Sequence, residues 1–223
     1  MKDRLLIIFH SKHGYVKRYV DIIGNALGCD AVPADKFKGD MLAFYDRILF
    51  IGSLRNEVIG GMKAIAPYYD IMYKKLVVCG VGLTPFHDFM PGHVKETSVS
   101  STYEKFVPVF YAQGGFDMSE LKGTEKFMFN LRVKQIKMNG ALSDDDTYCI
   151  NAATTPVDEV KKENIQPLID YLDGKQVDEK LYSPPEITDP EEEKKFFAEI
   201  AEATGETKKD KKSKKQKQDA ANP

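Results

Sequence analysis

The chain has no tryptophan, three cysteines, no long apolar run and almost no net charge. Each lack excludes something. Cys29, Cys79 and Cys149 are odd in number and widely spaced, with no CxxC pair. That is neither a disulfide framework nor a zinc-site pattern, and no metal is expected. Such thiol usage fits a reducing cytoplasm. No stretch approaches the roughly 20 apolar residues that cross a bilayer. The apolar run behind Lys2, Asp3 and Arg4 is too short for the core of a signal peptide. A cytoplasmic protein is expected, at most peripheral to the inner face of a membrane. Lys plus Arg total 32 against 34 Asp plus Glu. That near-balance argues against a nucleic-acid binder across the whole surface, so no nucleic-acid partner is expected.

What is present suffices for one domain with appendages: 223 residues, of which 42% are apolar. The near-neutral total hides an asymmetry. From Glu206 onward seven Lys face three acids, a surplus of +4 that leaves −6 for the rest. Residues 205–223 hold nothing apolar larger than Ala except Pro223, and are expected to be a disordered basic tail.

Strand and helix patterns alternate. Residues 4–9 read as a buried strand. Residues 15–27 read as a helix stopped by Gly28. Residues 30–33 suit a short edge strand. Ile48–Ile51 is a third strand closed by Gly52, and Gly60–Gly61 precede a helix to about Met72. Leu76–Val81 and Val107–Tyr111 are further β runs. Residues 119–138 are helical in pattern. Thr155 reads as the N-cap, and Pro156 as the first turn, of a helix running to about Leu172. Continuous apolar strands alternating with helices mean a parallel sheet covered on both faces. Ligands then bind beyond the carboxyl ends of the strands, at loops 10–16, 52–60, 82–93 and 111–118. Residues 1–174 form the expected domain. Residues 175–204 are a linker (Ser183–Pro184–Pro185) and a short amphipathic helix behind Asp189–Pro190.

The first loop, Ser11-Lys12-His13-Gly14-Tyr15-Val16, joins a strand to a helix. Such a junction aims backbone N–H groups and a helix N-terminus at one spot, which favours a phosphate. The spacing is not GxGxxG, and the Gly-Lys-Ser/Thr of a nucleotide P-loop is absent. Ser11 offers a hydroxyl, Gly14 permits close approach or positive φ, and Lys12 adds a point charge.

Four segments in order resemble the FMN-binding flavodoxin-like family. They are the first loop; Tyr45–Arg55; Val81-Gly82-Leu83-Thr84-Pro85; and Phe110–Asp117 followed by Leu121–Met128. The last is similar to the menaquinone-dependent protoporphyrinogen dehydrogenases and their flavodoxin-domain relatives. The likeness covers about residues 3–173. It implies a three-layer α/β fold with a doubly wound, five-stranded parallel sheet in order 2-1-3-4-5. It also implies flavin mononucleotide, with the phosphate held at Ser11 to Val16. The ring would lie among Ser53, Leu54, Arg55 and Asn56; Gly82 to Pro85; and Tyr111, Gln113, Gly114 and Gly115. Val16 departs from the pattern, because the family usually has Thr there and one hydroxyl donor is missing. With no Trp, a Tyr or aliphatic residue must wall the ring. A cation such as Arg55 beside a reduced ring would favour its anionic form.

His87 and His93, which bracket Asp88 in the third loop, offer proton donors near a flavin or substrate, or are surface histidines. His13 lends charge to the first loop or lies exposed. No residue pattern names a covalent catalyst or general base. Residues 119–138 mix Leu121, Phe127, Met128, Leu131 and Ile136 with five cations. They suit a helix with a solvated basic face, or a peripheral membrane contact for reaching a quinone. The Lys-rich tail is the second candidate for such a contact. Three functions stay open: an oxidoreductase acting on a quinone or porphyrinogen-type molecule, a one-electron carrier docking a redox partner protein, and a flavodoxin-shaped module that has lost flavin.

Overall fold

A computed structural model describes residues 3–203; the Lys-rich tail lies outside them. Contacts divide the chain into residues 1–184 and 185–223.

The first unit is built on a sheet of β1 (Leu5–His10), β2 (Asp30–Pro33), β3 (Arg47–Arg55), β4 (Leu76–Gly82) and β5 (Val109–Gln113). The five run parallel in the order 2-1-3-4-5, the doubly wound arrangement expected. A short antiparallel strand, β6 (Tyr182–Ser183), adds to the outer edge of β5. The central strands are buried on both faces, so they read as unbroken apolar runs. Side-chain alternation sends Leu5 and Ile7 toward α1 (Tyr15–Leu27) and the last helix of this unit, Lys162–Leu172. Leu6 and Ile8 take the opposite face.

Helix α1 matches its sequence pattern. Gly28 takes φ 65° and its N–H bonds the Gly24 carbonyl, which ends the helix.

Three expectations need correction. Gly52 does not close β3. The strand runs on to Arg55 and turns back through Asn56 and Glu57 into Val58–Ile59. Residues 62–75 form a chain of short turns, because Pro67 interrupts continuous helix, with α-helix confined to Tyr69–Met72. Thr155 and Pro156 start no helix. Val157–Asp158 pairs with Gly115–Phe116 in a small ribbon instead, and the helix begins at Lys162.

Three further helices complete this unit: α2 (Met90–Ser98), α3 (Gly123–Met138) and α4 (Asp144–Ala152). Lys162–Leu172 is therefore α5. Helix α4 starts with a reciprocal Ser143–Asp146 capping box. In the second unit, Pro190–Ala203 is helical. The Asp189 carboxylate accepts from the Glu191 and Glu192 amides, as the acid-rich start predicts.

The cysteines check the core. Cys79 is fully buried in β4, and burial pushes its thiol far above the ordinary range. Burial also raises Cys149, whereas Cys29 is half-buried. A disulfide-exchange reagent at pH 8 is expected to label Cys29 first in native protein and Cys79 after unfolding. Equal native labelling rates for all three would contradict this core.

Candidate functional site

The carboxyl ends of β1, β3, β4 and β5 meet at one crease. Register places His10, Gly52, Gly80 and Tyr111 in one row across the sheet. The two glycines leave room above the row. A Cβ on Gly52 would stand 2.7 Å from the Gly60 carbonyl oxygen, and one on Gly80 3.1 Å from Val94. The hairpin after β3 and helix α2 therefore lie close over the strands.

The loop after β1 presents backbone. Gly14 is the N-cap of α1 at φ 85°, with no side-chain cap and open space where a Cβ would stand. The first amides of α1 have no intrahelical acceptor. The Ser11 hydroxyl oxygen accepts from the Lys17 amide at 3.3 Å, leaving its proton for another acceptor. Lys12 and Gly14 are exposed, and His13 lies 3.4 Å from the Glu120 carboxylate. Val16 is 2% exposed, one of the buried residues of α1 in the core.

Ser53 and Leu54 are half-buried at the end of β3. Asn56 and Glu57 take φ 48° and 69°, the left-handed pair that a two-residue hairpin requires.

On the other side, Gly82, Leu83, Thr84 and Pro85 are half-buried. The Tyr111 hydroxyl donates to the Thr84 carbonyl at 2.5 Å. Burial drives that phenol far above its ordinary range, so it stays neutral. Gln113 donates to the Leu83 carbonyl at 3.2 Å and to the Tyr148 hydroxyl at 2.9 Å. The Gly114 amide bonds the Gly82 carbonyl at 2.7 Å. The Tyr15 ring covers Gly115 so closely that a Cβ there would overlap it. These bonds fasten the third and fourth loops into one rim.

The structure also joins residues that the sequence left separate. Lys12 and Arg55 both bind the carboxylate of Glu125, Lys12 at 2.5 Å. His87 and His93 do not converge: His87 bonds Asp145 at 2.9 Å and His93 bonds Glu57 at 3.2 Å. Among the described residues, no group of three His, Cys, Asp or Glu could hold a metal. Sequence reasoning missed His10, whose Nδ1 is buried without a partner beside Gly60. It missed Glu125 as well. A His directly before the loop was a usable signal; nothing in the spacing singled out Glu125.

Two concavities lie away from the loop after β1. One of about 470 Å³ is lined by Arg4, Cys29, Tyr45, Arg47 and Asp173, at the amino ends of the strands. One of about 150 Å³ lies beside β5, between Phe86, Tyr111 and Pro167.

Among solved structures the chain is similar to a WrbA-like flavodoxin protein from Agrobacterium tumefaciens (12% identity, covering 49% of this chain and 83% of that one, TM-score 0.34). It is similar to two-electron reduced flavodoxin from Megasphaera elsdenii (15% identity, 48% and 82%, TM-score 0.34). A flavodoxin from the domain Archaea matches at 11% identity, over 67% of this chain and 96% of that one, with TM-score 0.32. No curated protein matches the chain. The flavodoxin domain family matches residues 6–142, more than half of the sequence, and the chain belongs to that family.

Proposed function

We propose that this protein binds flavin mononucleotide at the crease and works as an oxidoreductase on a quinone or porphyrinogen-type small molecule. Family membership supports the cofactor. The observation that carries the reading is Gly14, which starts α1 in a left-handed conformation with no side-chain cap, beside a Ser11 hydroxyl that already takes the Lys17 amide and keeps its proton to donate. This end fits a phosphate: donors are present, and open space adjoins Gly14. Amides 12–16 and Ser11 would hold the phosphate, with Lys12 adding charge. Leu54, Leu83 and Pro85 would wall the ring, and no Trp is needed. Bound flavin would supply electron or hydride exchange. The chain's own part is to bind, orient and enclose it.

The segment between β5 and α5 favours a small-molecule substrate over simple docking of a carrier. It contributes α3 and α4, and α4 is fastened to the rim by His87–Asp145 and Gln113–Tyr148. A pure carrier needs no such cover. Helix α3 also exposes Phe127, Leu131 and Met138 on one face, near Lys134. That face is the proposed contact with a redox partner or a membrane surface. No helix among the described residues is long and apolar enough to cross a membrane.

Val16 favours a second reading. Its side chain is spent on the core and donates nothing, so a module that has lost flavin has a specific observation behind it.

Purified protein is expected to be yellow, or to turn yellow with added flavin mononucleotide. Ser11→Ala is expected to weaken binding by about 10–150-fold, the cost of a hydrogen bond to a charged group. Colourless protein that ignores the cofactor selects the second reading. Turnover of a porphyrinogen with menaquinone selects the oxidoreductase, whereas fast reduction by a reductase without any such substrate selects a carrier.

A further inference from the structure

Two cations from different strand ends share one carboxylate. Lys12 follows β1 and Arg55 ends β3, while Glu125 is the third residue of α3. Lys12 Nζ meets Glu125 Oε2 at 2.5 Å, and the Arg55 guanidinium holds Oε1. The carboxylate is the most enclosed of the three. Its side chain is 18% exposed, against 43% for Lys12 and 49% for Arg55. Taking it away would leave two cations facing each other within a few ångströms, a strong demand for an anion. Lys12 belongs to the same loop as the Ser11 hydroxyl and the residues that open α1, whose amides are also anion donors. A carboxylate and a phosphate offer similar paired oxygens to such donors.

We propose that Lys12 and Arg55 form one oxyanion site, and that Glu125 fills it as an internal competitor for phosphate. The ligand class is a phosphate monoester or free phosphate. An incoming phosphate displaces Glu125 and releases the first turn of α3 from the two loops. The bridge thus spans the mouth between β1 and β3 until an anion opens it. The phosphate site stands on this geometry alone. Its assignment to the phosphate of a flavin rests on the proposed function.

The test compares wild type, Glu125→Gln and Lys12→Gln/Glu125→Gln, titrated with inorganic phosphate alone and read as thermal midpoint shifts. Glu125→Gln keeps the shape and loses the competing charge. It is expected to tighten phosphate binding on the order of tenfold, and the second change should cancel the gain. Equal phosphate affinity in wild type and Glu125→Gln would overturn the proposal, as would a gain that survives the loss of Lys12. In a second arm, flavin mononucleotide and riboflavin are titrated into the same proteins by fluorescence. A gain for the phosphorylated flavin but not riboflavin identifies the displaced ligand as the flavin phosphate. A gain with inorganic phosphate and no flavin binding by any variant assigns the site to free phosphate; the site then stands and the flavin assignment falls.

Discussion

Replacing Phe110 by Ala is expected to destabilise the protein by about 3–5 kcal/mol, the range for removing a buried aromatic ring. Phe110 is 2% exposed on β5, within the cluster formed by α1, α5 and the central strands. Its ring stacks on Tyr182 at 4.9 Å, only 9° from parallel, and tilts against Tyr171 at 5.3 Å. Those pairs add about 0.5–1.5 kcal/mol each beyond area burial. Tyr182 is also the register partner of Phe110, so the same change unpins β6 from the sheet edge. Urea unfolding should show a lower midpoint with an unchanged slope. Phe127→Ala is the control. That ring is 65% exposed on α3, and its loss should move the midpoint by less than about 0.5 kcal/mol. A Phe110→Ala loss as small as the control's would mean that the β5 edge is not packed as described.

The β1–loop–α1 unit is legible in the sequence because each part carries a local signal. An apolar run buried on both faces, a glycine needing φ 85° and a 3.6-residue stripe ending at Gly28 all act within a few positions. The parallel direction of the strands follows from strand–helix alternation, whereas their order 2-1-3-4-5 is implied only by the family resemblance. Tertiary partners decide the elements that local pattern misreads. Val157–Asp158 leaves helix because Gly115–Phe116 offers it a partner strand, and Arg18 grips Asp158 through both carboxylate oxygens. Tyr182–Ser183 is too short to carry periodicity, and it becomes a strand where Tyr182 stacks on Phe110. The site shows the same division. Ser11, Gly14 and the rim glycines are visible as loop chemistry at strand ends. Glu125 stands 113 positions from Lys12 and 70 from Arg55, and no spacing rule links them. Gly52 reads as a stop in the sequence, although its real use is to let another segment pass close above it.

That use gives the second large effect. Gly52→Val is expected to destabilise the protein by about 3 kcal/mol and to loosen the hairpin after β3. A Cβ at this position would stand 2.7 Å from the Gly60 carbonyl oxygen and 2.7 Å from Ile59 Cγ2. The Gly60 amide bonds the Ser53 carbonyl at 2.9 Å, so the hairpin cannot lift without breaking that bond. Backbone on one side and a short branched side chain on the other leave little that can yield. Limited proteolysis should then cut within residues 55–60, sites that resist in wild type. Gly24→Ala provides the opposite sign. Gly24 lies inside α1, and a Cβ added there would meet nothing within 4 Å. The added methyl should stabilise by about 0.5–1 kcal/mol through lower chain entropy. The contrast separates close approach from mere glycine content. If Gly52→Val were as benign as Gly24→Ala, the hairpin would not lie on the sheet. Arg55 would then not be held against Glu125, and the crease would lack its second cation.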